Sequence, residues 1–257
     1  MSSSYNTLPW QELRPTLRVT EIPSHSQDFF ALQPRAEKAI RHFIKNSHRT
    51  LLVLKADDQA EYALLLKQLI QSEKPVPELC GVQYVIEQGD SFSFPRISTE
   101  PVQSYNDNFA AQKSVASALY FDQFQLFGSV KIHVTSHDIQ LNPGLVHQLN
   151  GGVLIVTAGA LLAQFDLWQR LKHILTTGVF NWYSAHPFKT LPCDIPSYPL
   201  KLKVIVLGNR TELATLEELE EELYHLADYA EIESYCRVAN AEQQQQWMGY
   251  VQSVAQQ

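Results

Sequence analysis

Four short apolar runs constrain this chain more than any other feature: Thr50–Leu54, Val82–Ile86, Val153–Val156 and Leu202–Leu207. Each fits a strand covered on both faces, because none shows the alternation of a half-exposed strand. Between and around them lie segments of helical period. Ala36–Ile44 places Ala36, Ala39, Ile40 and Phe43 on one face, and Tyr62–Ile70 and Ala160–Leu175 are patterned in the same way. Asn108–Phe124 is a further helix. Thr211 opens an acidic helix, with its hydroxyl as N-cap and Leu213, Leu216, Leu219 and Leu223 at spacings of three and four. Ser129–Thr135 and Asp138–Leu141 alternate as a hairpin, Asn142-Pro143 caps a helix with proline first, and a turn at Gly178 leads into a strand over Val179–Tyr183. This order predicts an α/β domain whose largely parallel sheet carries helices on both faces.

Charge and cysteine usage remove several function classes. With 20 Lys+Arg against 27 Asp+Glu the net charge is -7, and no basic cluster offers the counterion release that nucleic-acid binding needs. Cys80, Cys193 and Cys236 contain no C-x-x-C, so neither a disulfide framework nor a thiolate zinc site is implied. The longest apolar stretch, Gly151–Ala163, falls short of the ~20 residues of a bilayer span. The Met1-Ser-Ser-Ser-Tyr-Asn start has no leader pattern, so a cytoplasmic protein away from membranes is expected.

In a parallel sheet of this kind ligands sit outside the carboxyl ends of the strands, which directs attention to the residues after Leu54, Val156 and Leu207. A phosphate-binding loop after the first strand would read G-x-x-x-x-G-K-[ST]. The octet here is Lys55-Ala-Asp-Asp-Gln-Ala-Glu-Tyr62. Lys55 and Ala60 replace the glycines, Glu61 replaces the lysine and Tyr62 replaces the hydroxyl residue. Asp57 and Asp58 add negative potential, so a triphosphate is repelled. After the third run, Thr157-Ala158 stand where an NTPase carries its Mg²⁺ and water-activating carboxylates. After the fourth, Asn209 alone is suited to reach a γ-phosphate, although an asparagine there also suits a turn.

These positions sit within a wider resemblance. Asn142-Pro-Gly-Leu-Val-His-Gln-Leu-Asn-Gly-Gly-Val-Leu-Ile-Val156 is similar to the Pro-Gly-x-x-His-x-A-x-x-Gly block before the Walker B strand of Lon-family AAA+ proteases. Gln33-Pro-Arg-Ala36, Leu126-Phe-Gly-Ser-Val130 and Pro199–Asn209 resemble that family's lead into its first helix, its Leu-Phe-Gly motif and its sensor-1 strand. The chain thus resembles the bacterial Lon-related branch, whose ATPase motifs are eroded in this manner. The resemblance implies an AAA+-like P-loop NTPase fold with a parallel five-stranded sheet of order 5-1-4-3-2. It implies a degenerate module over 1–235 with an insertion at about 126–150 and a fifth strand at about Tyr229–Tyr235, and the first part of a helical lid over 236–257. It further implies a homo-oligomeric, hexameric ring that handles protein substrates, and a Ser-Lys protease domain that is not in this chain. By resemblance alone the cofactors are ATP and Mg²⁺; by the residues, none is expected. The trans-acting arginine that the family places after the acidic helix is absent from Leu226–Ile232.

Three readings follow. One is a Lon-like AAA+ module that provides ring assembly and substrate access and carries no intact ATPase or protease residues. The second is a non-enzymatic scaffold that binds partners, with the acidic helix Thr211–Tyr224 as its surface. The third, an active ATPase, needs phosphate contacts that the octet does not supply. Phe92 and Phe94, in the loop after the second apolar run, are candidates for the aromatic that grips substrate in an AAA+ pore. His133 and His137 fall in the expected hairpin, with no helical i, i+4 face and no carboxylate at ligand spacing to go with His147, so no metal is expected; His147 belongs to the Pro143-Gly-x-x-His block and reads as a packing residue.

Overall fold

The computed structural model describes residues 28–73, 80–84, 86–87, 91–92, 96–98, 108–109, 113–132, 139–184, 190–191 and 194–256. They fall into two compact units, 35–234 and the segments within 1–34 and 235–257. In the second of these, a 3-10 helix (Phe29–Leu32) capped by Asp28 meets a long C-terminal helix through the edge contact of Phe29 with Tyr250, ring centroids 5.8 Å apart.

In the larger unit, α1 (Pro34–Lys45) precedes β1 (Leu51–Lys55) and α2 (Gln59–Ser72). Three short antiparallel pieces follow, β2 (Gly81–Gln83) paired with both β5 (Arg96–Ser98) and β6 (Asn108–Phe109), beside the hairpin of β3 (Ile86–Glu87) and β4 (Ser91–Phe92). Then come β7 (Val115–Ala118), α3 (Gln123–Phe127), the hairpin β8 (Ser129–Ile132) with β9 (Ile139–Asn142), α4 (Leu145–Gln148) and β10 (Val153–Thr157). The chain continues through α5 (Ala158–Ala163), α6 (Phe165–Thr177), β11 (Val179–Phe180), β12 (Tyr198–Pro199) and β13 (Lys203–Gly208). It then passes α7 (Arg210–Leu219), α8 (Leu223–Leu226) and β14 (Ala227–Glu231), and α9 (Ala241–Ala255) is the C-terminal helix.

The central sheet has the order β14-β1-β13-β10-β7, all parallel, which is the expected 5-1-4-3-2 arrangement. Its three inner strands are the apolar runs at Leu51, Val153 and Leu202, buried along their length because helices cover both faces.

Several expectations change. The second sheet strand is not Val82–Ile86 but β7, inside the segment expected to be a helix over Asn108–Phe124. Val115-Ala-Ser-Ala118 lacks an apolar run because α2 packs against it, and small side chains admit a helix at close range. The helix expected over Ala160–Leu175 is two, broken at Gln164, whose side-chain amide donates to Phe121 O at 2.5 Å. The acidic helix is capped by Asn209 rather than Thr211, and it breaks at Glu220. The Glu220 carboxylate is buried and accepts from Trp168 Nε1 (3.1 Å), Gln169 Nε2 (3.0 Å) and Lys172 Nζ (2.9 Å), which clamps the break to α6. The last strand is β14, earlier than Tyr229–Tyr235. The helix expected from Asn142-Pro143 begins at Leu145, with Gly144 as its N-cap.

The reason lies in a backbone crossing. Gly128 has φ 75°, and a Cβ there would run into Asn142 O; a Cβ on Gly144 would lie 2.5 Å from Leu126 O. The Leu-Phe-Gly and Pro-Gly motifs are therefore the two strokes of one crossing at the neck of the β8–β9 hairpin. His147, on α4, is fully buried beneath it. Its Nε2 faces Phe127 O at 3.0 Å, so that nitrogen carries the proton, and Nδ1 accepts from the Tyr198 hydroxyl. The ring stacks on Trp182 (4.8 Å, 15°) and meets Phe180 edge-on at 4.3 Å. Burial pushes its pKa down to about 3, against a smaller opposing effect of the Phe127 carbonyl, so a packing role is what the structure gives it. His133 and His137 lie outside the described residues. Lys203, 5% exposed at the start of β13, donates to Phe43 O, Ile44 O and Asn46 O at 2.6–2.7 Å and so closes the C-terminus of α1.

Candidate nucleotide cleft

The carboxyl ends of β1, β10 and β13 lie side by side, where the strand order places a ligand crevice. Only Ala56, Asp57 and Asp58 join β1 to α2. A phosphate cradle needs a longer loop whose amides face inward. Here the Ala56 amide donates to Gly208 O (2.9 Å) and the Glu61 amide to Asp58 Oδ1 (3.1 Å), so the loop's own polar groups close on the protein. Lys55 ends β1 with its Nζ 2.5 Å from Glu231 Oε1 on the neighbouring strand. Ala60, Glu61 and Tyr62 lie in the first turn and a half of α2, with Ala60 and Glu61 exposed.

On the second wall, Thr157 donates its hydroxyl to Leu119 O (3.1 Å) and accepts from Ala160 N (3.2 Å), which caps α5. Ala158 is completely buried. On the third, Asn209 Oδ1 accepts from the amides of Thr211 and Glu212, both at 3.0 Å, and Glu212 Oε2 accepts from Asn209 N at 3.1 Å. This reciprocal capping box holds the asparagine side chain on its own helix.

Glu212 and Gln59 are the residues that sequence reasoning missed. The Gln59 side-chain amide donates to Glu212 Oε2, which ties the start of α2 to the start of α7 across the crevice. Glu212 also fills space beside α5, since a Cβ on Gly159 would lie 2.9 Å from Glu212 Oε1. The Asn209-x-x-Glu212 spacing is a capping-box signature and could have flagged this helix start; nothing local points to Gln59. The structure thus brings Lys55, Asp57, Asp58, Thr157, Ala158 and Asn209 to one end of the sheet. There the acids Asp57, Asp58, Glu61, Glu212 and Glu231 outnumber the cations Lys55, which is already ion-paired, and Arg210, the exposed first residue of α7. Among the described residues no group of three His, Cys, Asp or Glu is placed to hold a metal ion. Phe92 falls on β4, which is not a strand of the central sheet, and Phe94 lies outside the described residues.

Comparison with known proteins gives a consistent picture. Residues 114–228 match the family described as "LonB-like, AAA domain", a span that opens just before β7 and ends in β14, leaving β1 and α2 outside it. A "Putative Lon protease homolog" of Haemophilus influenzae is 61% identical over 251 residues, 97% of this chain and 42% of that protein. A second protein of the same name, from Escherichia coli, is 36% identical over 254 residues, 95% of this chain and 42% of that protein. The chain therefore spans under half the length of these relatives. Among solved structures, the BchI–BchD complex of magnesium chelatase superposes with a TM-score of 0.49 at 11% identity, over 90% of this chain and 74% of that one. At that level of likeness the fold assignment rests on the sheet order and on the sequence relatives.

Proposed function

From the premise that this chain is a Lon-related AAA+ module, we propose that it provides ring assembly and substrate access for a serine protease domain carried elsewhere in a longer protein, without hydrolysing ATP itself. The observation that supports this most is the crevice closed by its own side chains. Asn209 caps α7, Thr157 caps α5, and the Gln59–Glu212 bridge spans the mouth. Asp57, Asp58, Ala60, Glu61 and Tyr62 are then remnants of a loop that no longer holds phosphate, and Lys55 serves as the ion-pair partner of Glu231.

The module acts as one subunit of a homo-oligomeric ring, hexameric by analogy with its family, and works on protein substrates in the cytoplasm. No helix among the described residues is long and apolar enough to cross a membrane. The gripping aromatic of such a ring follows the second sheet strand. Phe92 and Phe94 were candidates on that ground, and with β7 as that strand the same argument favours Tyr120, which is 90% exposed. Replacing Tyr120 by Ala in the longer protein slows degradation of a folded substrate and spares cleavage of a short peptide; equal loss of both would remove Tyr120 from this role.

The experiment for the central reading is peptidase activity of the longer protein with and without Mg·ATP. ATP-independent cleavage is expected. Stimulation by ATP that disappears when Asn209 is replaced by Ala would refute the inactive-cleft reading. The scaffold alternative has one observation in its favour, the exposed Leu219, Tyr224 and Tyr229 on the acidic side of the unit. Absence of any peptidase activity from the longer protein would favour it.

A further inference from the structure

Arg170 is a cation on α6 that takes no part in the nucleotide cleft. It projects from α6 with its guanidinium between two rings, the carbon lying 4.4 Å from the centroid of Phe127 and 4.4 Å from that of Tyr183. Both faces of the planar group are covered, so only its in-plane N–H edge remains for an acceptor. Among the described residues none provides one. Its Nε is buried without a hydrogen-bond partner. Asp166, four residues earlier on the same helix, is the ordinary partner at that spacing, yet no ion pair forms between them.

Arg35, Arg41 and Arg49 each reach a carboxylate in this acidic chain. Arg170 is instead turned from the nearby acid and held flat in a partly desolvated position, which is costly for an unpaired cation. The surroundings add apolar contact. Tyr183 is 46% exposed, and Phe124, one turn before Phe127 on α3, is 53% exposed. Gln123 Nε2 donates to Ser184 O at 3.5 Å, which holds α3 against the segment that carries Tyr183. On α6, Arg170 lies on the side opposite Trp168, Gln169 and Lys172, which serve Glu220, so it is free of that clamp.

We infer that the Arg170 edge, with Tyr183 and Phe124 beside it, is a docking site for a protein segment in which a carboxylate neighbours an aromatic or apolar side chain. The carboxylate takes the terminal nitrogens of the guanidinium, since Nε itself is buried, and the apolar neighbour lies on the exposed rings. This site rests on the reading that the module handles protein substrates, but it requires nothing of the nucleotide cleft.

The test uses two fluorescein-labelled decapeptides, one alternating Phe and Asp and one alternating Phe and Asn, titrated against the 257-residue chain by anisotropy. The Asp peptide is expected to bind at least about tenfold tighter, the low end for a hydrogen bond to a charged group. That preference disappears in Arg170→Met and is reduced in Arg170→Lys, which keeps charge but not the planar fork. Equal affinity of the two peptides for the unaltered chain overturns the site without any variant that must fold, and leaves substrate handling standing. A preference that survives Arg170→Met overturns it too. Binding of neither peptide overturns the site as well, and the substrate reading is then decided separately by the degradation assay of the longer protein.

Discussion

His147 couples the stability of the larger unit to pH. Folded, its Nδ1 accepts from Tyr198 and its ring is enclosed by Phe180 and Trp182, so the proton that an unfolded histidine takes up near pH 6.5 is refused until about pH 3. Between those values the unfolded chain binds one more proton than the folded one, so stability is fully present above pH 6.5 and is lost as pH falls. The loss from this residue is about 2 kcal/mol at pH 5 and approaches ~5 kcal/mol below pH 3. Urea unfolding of the protein and of His147→Gln at pH 7.5 and pH 5 isolates the effect. The glutamine amide can donate to Phe127 O and does not titrate, and acid effects at other groups cancel in the difference. The stability gap between protein and variant should shrink by about 2 kcal/mol on going to pH 5. A gap that stays constant or widens would refute the argument that this ring is neutral and desolvated.

Two further substitutions probe the frame around the cleft. Lys203→Met leaves the carbonyls of Phe43, Ile44 and Asn46 without their donor and should cost about 3 kcal/mol in denaturant unfolding, roughly 1 kcal/mol per bond lost, whereas a surface lysine costs almost nothing. Gly128→Ala forces a Cβ into Asn142 O at a positive φ, and should lower the thermal midpoint sharply or prevent soluble folding; an unchanged midpoint would mean that the hairpin neck does not need the crossing.

Legibility in the sequence followed burial. β1, β10 and β13 are covered on both faces, which leaves uninterrupted apolar runs that can be read one residue at a time. β7 occupies the sheet edge under α2 and is built from one valine, two alanines and a serine, so it carries no apolar run, and the segment at Val82 reads as the strand instead. The loss of phosphate ligands was legible for the same reason that a motif is: Glu61 and Tyr62 stand at fixed offsets from a visible strand. What fills the crevice was not, because Gln59 and Glu212 meet only through the tertiary fold, and their pairing depends on two helix starts being brought together by the sheet order. Asn209 illustrates the boundary. Its chemistry suits a phosphate sensor or a turn, and its capping box with Glu212 shows which one the local hydrogen bonds select. Lys203 reads as an ordinary strand residue until α1 is seen to end against it.

The measurement that bears most directly on the closed cleft is calorimetric titration of Mg·ATP and Mg·ADP into the chain, with thermal unfolding followed in parallel. A closed cleft gives no binding heat and no upward shift of the unfolding midpoint at millimolar nucleotide. Micromolar binding with a concentration-dependent rise in the midpoint would contradict it, because the Gln59–Glu212 bridge and the three-residue β1–α2 connection would then have to give way to phosphate.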